Sequence, residues 1–121
     1  MIQILYVDDE PDLREVASMA LELDGEIEVR DCGSGAEALD ILDDWIPDLV
    51  LLDVMMPEMD GPATYAAIRA RKMDLPIVFI TARAQDADLR RLLALGAAGV
   101  ISKPFDPMTL ADQVRACMAS A

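Results

Sequence analysis

The sequence predicts an α/β domain built on a parallel sheet, and three observations support this class. Short runs rich in Val, Ile and Leu alternate along the chain with longer segments of helical period, a pattern typical of parallel strands joined by crossover helices. Two of the runs are apolar up to their last residue, as strands covered by helices on both faces are. The connections are short. A single domain over residues 1–121 is therefore expected.

Five strands are predicted, and they differ in how deeply they should be buried. They are QILYV from Gln3, IEVRD from Ile27, LVLLD from Leu49, IVFIT from Ile77 and GVIS from Gly99. The third and fourth runs are the most apolar, which places them inside the sheet. The second run mixes charged and apolar residues, which favours an edge.

Five helices are predicted between and after these strands. The first, PDLREVASMALEL, has Pro11 in its first turn and ends before Asp24. The second, SGAEALDILDDW, begins with Ser34 as N-cap and Glu37 three residues later, which is the pattern of a capping box. The remaining helices should begin near Pro62, Asp86 and Met108.

The charge balance argues against one class of partner. The chain has 10 basic and 23 acidic residues, for a net charge of -13, and 54% of its residues are hydrophobic. Proteins that bind a nucleic acid backbone do so with clustered Lys and Arg, whereas this chain has two lysines and scattered arginines. Direct binding to nucleic acid is not expected.

No targeting signal is recognisable in the sequence. The opening MIQILYVDDEP lacks a basic segment, and no stretch reaches the length of a transmembrane helix. A cytoplasmic domain without membrane insertion is expected. Cys32 and Cys117 form no CxxC motif, so both are predicted to be reduced thiols without a chemical role.

Polar residues stand at the ends of four predicted strands. Asp8 and Asp9 follow the first strand, Asp53 ends the third and Thr81 ends the fourth, while Lys103 follows the fifth. Ligands bind at the carboxyl edge of such sheets. These side chains are therefore expected to converge on one crevice.

Three carboxylates in one crevice repel one another, and a divalent cation would relieve that repulsion. Mg²⁺ fits because it prefers oxygen ligands, and protein sites often combine one or two carboxylates with phosphate oxygens. Lys103 would then serve as counter-charge to a phosphoryl group.

Asp53, held at the end of a rigid strand, is suited to act as a nucleophile that becomes an aspartyl phosphate. Phosphoryl transfer depends mainly on alignment and charge stabilisation. Mg²⁺, Lys103 and the Thr81 hydroxyl could supply both.

Each of these residues also has an ordinary structural interpretation. Asp9 or Asp12 could simply cap the first helix, a Thr at a strand end often bonds to backbone, and a Lys-Pro pair commonly lies in a loop. The functional interpretation rests on all of them occurring together, in order, at the ends of the first, third, fourth and fifth strands.

The motifs VDDEP, LLDVMMPEMDG, TA and KPF occur in an order and spacing that resemble those of the receiver domains of bacterial two-component response regulators. The similarity extends over essentially the whole chain. It implies a flavodoxin-like doubly wound (βα)5 fold, with five parallel strands in the order 2-1-3-4-5 and helices on both faces.

The same resemblance implies a role for each site residue. Asp53 would be the phosphoacceptor, and Thr81 and Lys103 would contact the phosphoryl group. Mg²⁺ would be held by Asp8, Asp9, Asp53 and the backbone carbonyl of Met55. The implied phosphodonor is a sensor histidine kinase or a histidine phosphotransfer protein, and a downstream protein or output domain would receive the signal. A cis peptide is implied at Lys103-Pro104.

One position departs from the family pattern. Three residues before the lysine, where a Tyr or Phe commonly acts as a switch, this chain has Val100. Phosphorylation would then have to be reported by other elements. The chain could act as a stand-alone regulator or relay, or be a piece of a longer protein.

Two other functions remain open from the sequence. A metal-dependent phosphohydrolase could use a similar Asp nucleophile, although the haloacid-dehalogenase-like pattern has a second Asp where this chain has Met55. The second possible function is that of a receiver-like interaction module that is never phosphorylated.

Overall fold

The computed structural model describes residues 1–83 and 85–120, in which five parallel strands alternate with five helices. The strands are β1 (Ile2–Val7), β2 (Ile27–Cys32), β3 (Leu49–Asp53), β4 (Ile77–Thr81) and β5 (Gly99–Ser102). The helices are α1 (Pro11–Glu22), α2 (Gly35–Asp44), α3 (Gly61–Ala70), α4 (Asp86–Ala94) and α5 (Leu110–Ser120). The predicted α/β class is confirmed.

The strands form one sheet in the order β2-β1-β3-β4-β5, which confirms the 2-1-3-4-5 order. Every residue of β3 and β4 is buried, whereas β2 lies at an edge, with buried residues at its two ends and mostly exposed residues between them. The predictions of interior and edge strands are both confirmed, because helices cover the two faces of the sheet.

Two apolar clusters fill the space between the sheet and its helices. On one face, Leu5 and Val7 of β1 pack with buried residues of α2, α3 and α4. On the other face, Ile4 and Tyr6 pack with buried residues of α1 and α5. Successive strand residues point to opposite faces, so Tyr6 and the next-but-one residue, Asp8, lie on the same side.

The helix starts follow local hydrogen bonding. The Ser34 hydroxyl accepts the Glu37 N–H at 3.1 Å, as predicted, but the Glu37 carboxylate reaches back to the Gly33 N–H rather than that of Ser34. The fifth helix begins two residues later than expected. The Asp106 carboxylate accepts the Met108 N–H at 2.9 Å, and this turn keeps the segment before Leu110 out of the helix.

The simple capping alternative for the first helix is wrong. Glu10 occupies the N-cap position of α1 and makes no capping bond through its side chain. Neither Asp9 nor Asp12 stands at that position.

Among residues 1–83 and 85–120, no helix combines the length and apolar character needed to cross a bilayer.

Cys32 and Cys117 are free thiols, in agreement with the sequence. Burial raises the pKa of Cys32 to about 12, so its thiol stays protonated and unreactive.

Candidate functional site

The fold places the predicted site residues at one edge of the sheet. Asp8 directly follows β1, and Asp53 is the last residue of the adjacent strand β3. In the register between these strands Val7 pairs with Leu52, so the two aspartates occupy neighbouring positions. Thr81 ends β4 and pairs with Ser102, which brings Lys103 to the same edge.

Lys103 lies at the centre of this group. Its Nζ atom is 3.0 Å from Asp8 Oδ2, 3.2 Å from Asp53 Oδ1 and 4.0 Å from Glu10 Oε1, and its side chain is only 12% exposed. Burial alone would lower the pKa of Lys103, but the hydrogen bonds and charges of Asp8 and Asp53 outweigh it and raise that pKa. The ammonium group therefore stays charged. The Lys103-Pro104 peptide bond is cis.

The Asp8 carboxylate is buried and held by three groups. Oδ2 accepts the Tyr6 hydroxyl at 2.9 Å and the Lys103 ammonium, while Oδ1 accepts the Glu10 N–H at 3.0 Å. The backbone carbonyl of Asp8 also accepts a bond from Arg14 Nη1 at 2.8 Å. Burial and the nearby acids raise the pKa of Tyr6, so its hydroxyl remains a donor.

Asp53 is buried beside a like charge. Burial raises the pKa of its carboxyl from 3.8 to about 6, and the charge of Asp8 acts in the same direction. Lys103 and the backbone of Met55 oppose this shift. The carboxylate is thus ionised near neutral pH but strained by its surroundings, which suits a nucleophile that is neutralised by a ligand or by reaction.

Thr81 and Met55 border the same carboxylate. The Thr81 hydroxyl is buried and accepts the Arg83 N–H at 3.0 Å. Thr81 follows Ile80, the register partner of Asp53. The Met55 side chain is exposed, and its backbone N–H donates to the Asp53 carboxylate.

A cluster of carboxylates also lies at this edge. One oxygen each from Asp8, Asp9 and Glu10 lies within 4.8 Å of the others. Asp53 is not part of that cluster; its Oδ1 atom pairs with Lys103. The all-oxygen set and the excess of carboxylates over the single ammonium group fit a hard divalent cation such as Mg²⁺.

Three residues near the site were not identified from the sequence. Glu10 joins the acidic cluster, and the run Asp8-Asp9-Glu10 was the available signal. Tyr6 could have been found because it precedes Asp8 by two residues on one strand face. Arg14, which joins the Asp8 carbonyl to the Asp31 carboxylate at 3.2 Å, gave no signal in the sequence.

Position 100 carries no aromatic ring. Val100 lies in β5 and is half-buried, packed against the apolar cluster that contains Phe79. A valine there has no hydroxyl and no ring to turn between inward and outward positions.

Comparisons with known proteins agree with this arrangement. Residues 4–115 match the family model described as the response regulator receiver domain. The chain is 40% identical over 120 residues to the response regulator Rre1 of Synechocystis, covering 98% of this chain and 52% of that protein. It is 36% identical over 110 residues to the response regulator SaeR of Staphylococcus aureus, covering 91% of this chain and 47% of SaeR.

The chain thus spans about half the length of these relatives. Among solved structures, the chemotaxis protein CheY4 of Vibrio cholerae superposes with a TM-score of 0.88 at 31% identity, covering 97% of this chain and 98% of that one.

Proposed function

Because the chain belongs to the family of response regulator receiver domains, we propose that Asp53 accepts a phosphoryl group and that the domain passes this signal to a partner. The observation that carries the proposal is the position of Lys103, whose ammonium group bridges the carboxylates of Asp8 and Asp53 at 3.0 and 3.2 Å. When Asp53 binds a phosphoryl group, an ammonium group in this position can pair with one of the phosphoryl oxygens.

The transfer would proceed as follows. One carboxylate oxygen of Asp53 attacks the phosphorus of a phosphohistidine, a P–O bond forms, and the P–N bond breaks. The electron pair of the broken bond stays with the departing imidazole. Lys103 pairs with the developing charge on the phosphoryl oxygens. The Thr81 hydroxyl accepts the Arg83 N–H and still has its own O–H to donate to one of those oxygens.

The residues proposed to hold Mg²⁺ are Asp8, Asp9, Asp53 and the backbone carbonyl of Met55. When bound, the ion would neutralise charge on the carboxylates and on the phosphoryl oxygens. The contribution of the chain is to hold Asp8 rigidly through its three hydrogen-bonding partners.

The proposed phosphodonor is a sensor histidine kinase or a histidine phosphotransfer protein, and the recipient is a downstream protein or an output domain. We propose a cytoplasmic location for the domain. We propose a regulator that assists its own phosphorylation and dephosphorylation, not an enzyme with an external substrate. Neither nucleic acid nor a membrane is proposed as a direct partner.

The proposal is tested by incubating the protein with Mg²⁺ and acetyl phosphate and following its intact mass. Wild type should gain one phosphoryl group that is lost again with time, and Asp53→Asn should gain none. Continuous release of phosphate with no labelled protein would indicate a phosphohydrolase instead. The absence of both would indicate an interaction module that is not phosphorylated.

A further inference from the structure

We propose that the hydroxyl of Tyr6 is a positioning group for the cation site, which it serves by fixing the orientation of the Asp8 carboxylate. The proposal rests on the proposed function, because it assumes that Asp8 belongs to a Mg²⁺ site. It assigns to Tyr6 a role that its place in the apolar core does not require.

The contact itself is short and fully enclosed. The Tyr6 hydroxyl donates to Asp8 Oδ2 at 2.9 Å, and both residues have no exposed surface. The two side chains lie on one face of the sheet because they are two residues apart at the end of β1. No water can replace the hydroxyl at such a position without a rearrangement of the core.

The hydrogen bonds of Asp8 show what the hydroxyl contributes. An ionised carboxylate offers about four acceptor sites, and Tyr6, Lys103 and the Glu10 N–H occupy three of them. About one site remains for a cation or its bound water. Without the Tyr6 hydroxyl the carboxylate can turn about its side-chain bonds, since Lys103 is also shared with Asp53.

Tyr6 differs from the other groups that hold Asp8. Lys103 is proposed to contact the phosphoryl group, and the Glu10 N–H belongs to the backbone. The Tyr6 hydroxyl hydrogen-bonds only to Asp8 among the described hydrogen bonds, so its removal should reach the cation site through Asp8. Groups of this kind, which orient a metal ligand without binding the metal, commonly alter metal affinity about tenfold or more when removed.

The test compares Tyr6→Phe with Tyr65→Phe by isothermal titration of the metal-free proteins with Mg²⁺. Each substitution removes one hydroxyl and keeps a buried ring, and these are the two tyrosines of the chain. Tyr65 packs on the opposite face of the sheet, against Phe79. Tyr6→Phe should weaken Mg²⁺ binding about tenfold, and Tyr65→Phe should leave it unchanged.

The outcomes separate this inference from the function on which it rests. If wild type binds Mg²⁺ and Tyr6→Phe binds it equally well, the positioning role is wrong while the proposed function stands. If wild type does not bind Mg²⁺, the metal-dependent function itself fails. A lower melting temperature of Tyr6→Phe with unchanged Mg²⁺ affinity would assign the hydroxyl a purely structural role and overturn the inference.

A second measurement applies if Tyr6→Phe does not fold. In the Tyr65→Phe background Tyr6 is the remaining tyrosine, so labelling with 3-fluorotyrosine yields a single ¹⁹F resonance. That resonance should move during Mg²⁺ titration and reach its end point together with the calorimetric curve. A resonance that stays fixed while Mg²⁺ binds would overturn the inference.

Discussion

Gly61 lies directly against the backbone of Asp53. A Cβ atom at position 61 would stand 2.6 Å from the carbonyl oxygen of Asp53 and 2.8 Å from the Cα atom of Val54. The Gly61 N–H also donates to the Val54 carbonyl at 2.9 Å. The first residue of α3 therefore supports the backbone of the proposed phosphoacceptor, and a side chain there would displace it.

Gly61→Ala should consequently lower both stability and phosphorylation. Because the neighbouring atoms belong to backbone, the methyl group should cost about 1–3 kcal/mol of unfolding free energy and slow labelling by acetyl phosphate. Urea denaturation and intact mass measure the two effects. Gly25→Ala is the matched control, since a Cβ at position 25 meets no atom within 4 Å. Equal behaviour of the two variants would contradict the proposed support of Asp53.

The position of Gly61 in the chain could be predicted from the sequence, but its contact with Asp53 could not. The sequence predicts a helix that begins near Pro62, and α3 begins one residue earlier, at Gly61. Its approach to Asp53 depends on the path of residues 54–60, which no periodicity describes. The strands, by contrast, could be predicted because burial on both faces leaves a direct signature in Leu49–Asp53 and Ile77–Thr81.

The site was partly predictable for a similar reason. Parallel strands bring their carboxyl ends to one edge, so the approach of Asp8, Asp53 and Lys103 follows from strand order. The contacts that hold Asp8 were not predicted, because they depend on side-chain orientations. Glu10 was passed over because its place in the cluster depends on the turn in which its N–H donates to Asp8, and the sequence does not show that turn.

The pKa of Asp53 predicts how the stability of the metal-free protein depends on pH. Burial and Asp8 raise this pKa from 3.8 to about 6, so between these values the folded state binds more protons than the unfolded state does. The stability that the Asp53 carboxyl contributes is therefore fully present below the unfolded pKa of 3.8 and is lost as pH rises through the folded pKa of about 6. The expected change over the full titration is on the order of 3 kcal/mol.

Asp53→Asn isolates this contribution. In the absence of metal, wild type should become less stable relative to Asp53→Asn as pH is raised from about 4 to about 7. Denaturation with urea at each pH measures the difference in unfolding free energy between the two proteins. The titration of the other acids is common to both and cancels in this difference. A difference that does not vary with pH would show that the Asp53 carboxyl has an ordinary pKa.

Lys103 should be energetically coupled to Asp53. Replacing Lys103 by Met leaves two buried carboxylates without their shared cation, and breaking a buried ion pair in this way is strongly destabilising. In an Asp53→Asn background Lys103→Met should cost less, with a coupling energy of about 1–3 kcal/mol.

A double-mutant cycle in urea, with the metal removed, measures this coupling. Arg91→Met combined with Asp53→Asn is the control, because Arg91 pairs with Asp88 on the surface of α4. Additive effects of Lys103→Met and Asp53→Asn would contradict the bridging role of the ammonium group.

Within the acidic cluster, Asp9 and Glu10 should differ in their effect on Mg²⁺ binding. Asp9 and Glu10 both have an oxygen within 4.8 Å of the others in the cluster, but only Asp9 is proposed as a ligand. The Glu10 side chain is 62% exposed and 4.0 Å from Lys103, so its charge acts mainly through water. At such a distance in water a charge is worth about 1 kcal/mol.

Asp9→Asn should therefore weaken Mg²⁺ binding well beyond the effect of Glu10→Gln, as measured by isothermal titration. Raising the Mg²⁺ concentration should restore acetyl phosphate labelling to Asp9→Asn, because its nucleophile is intact, but not to Asp53→Asn. Glu22→Gln, altered on α1 at an acid outside the cluster, controls for loss of overall negative charge. If Glu10→Gln weakened binding as strongly as Asp9→Asn, Glu10 would be a ligand and the proposed set would be incorrect. If Glu22→Gln also weakened Mg²⁺ binding this strongly, Mg²⁺ would be screening the net charge of -13 instead of occupying a site. A specific ligand set is sensitive to the position of the lost charge, and a diffuse ion atmosphere is not.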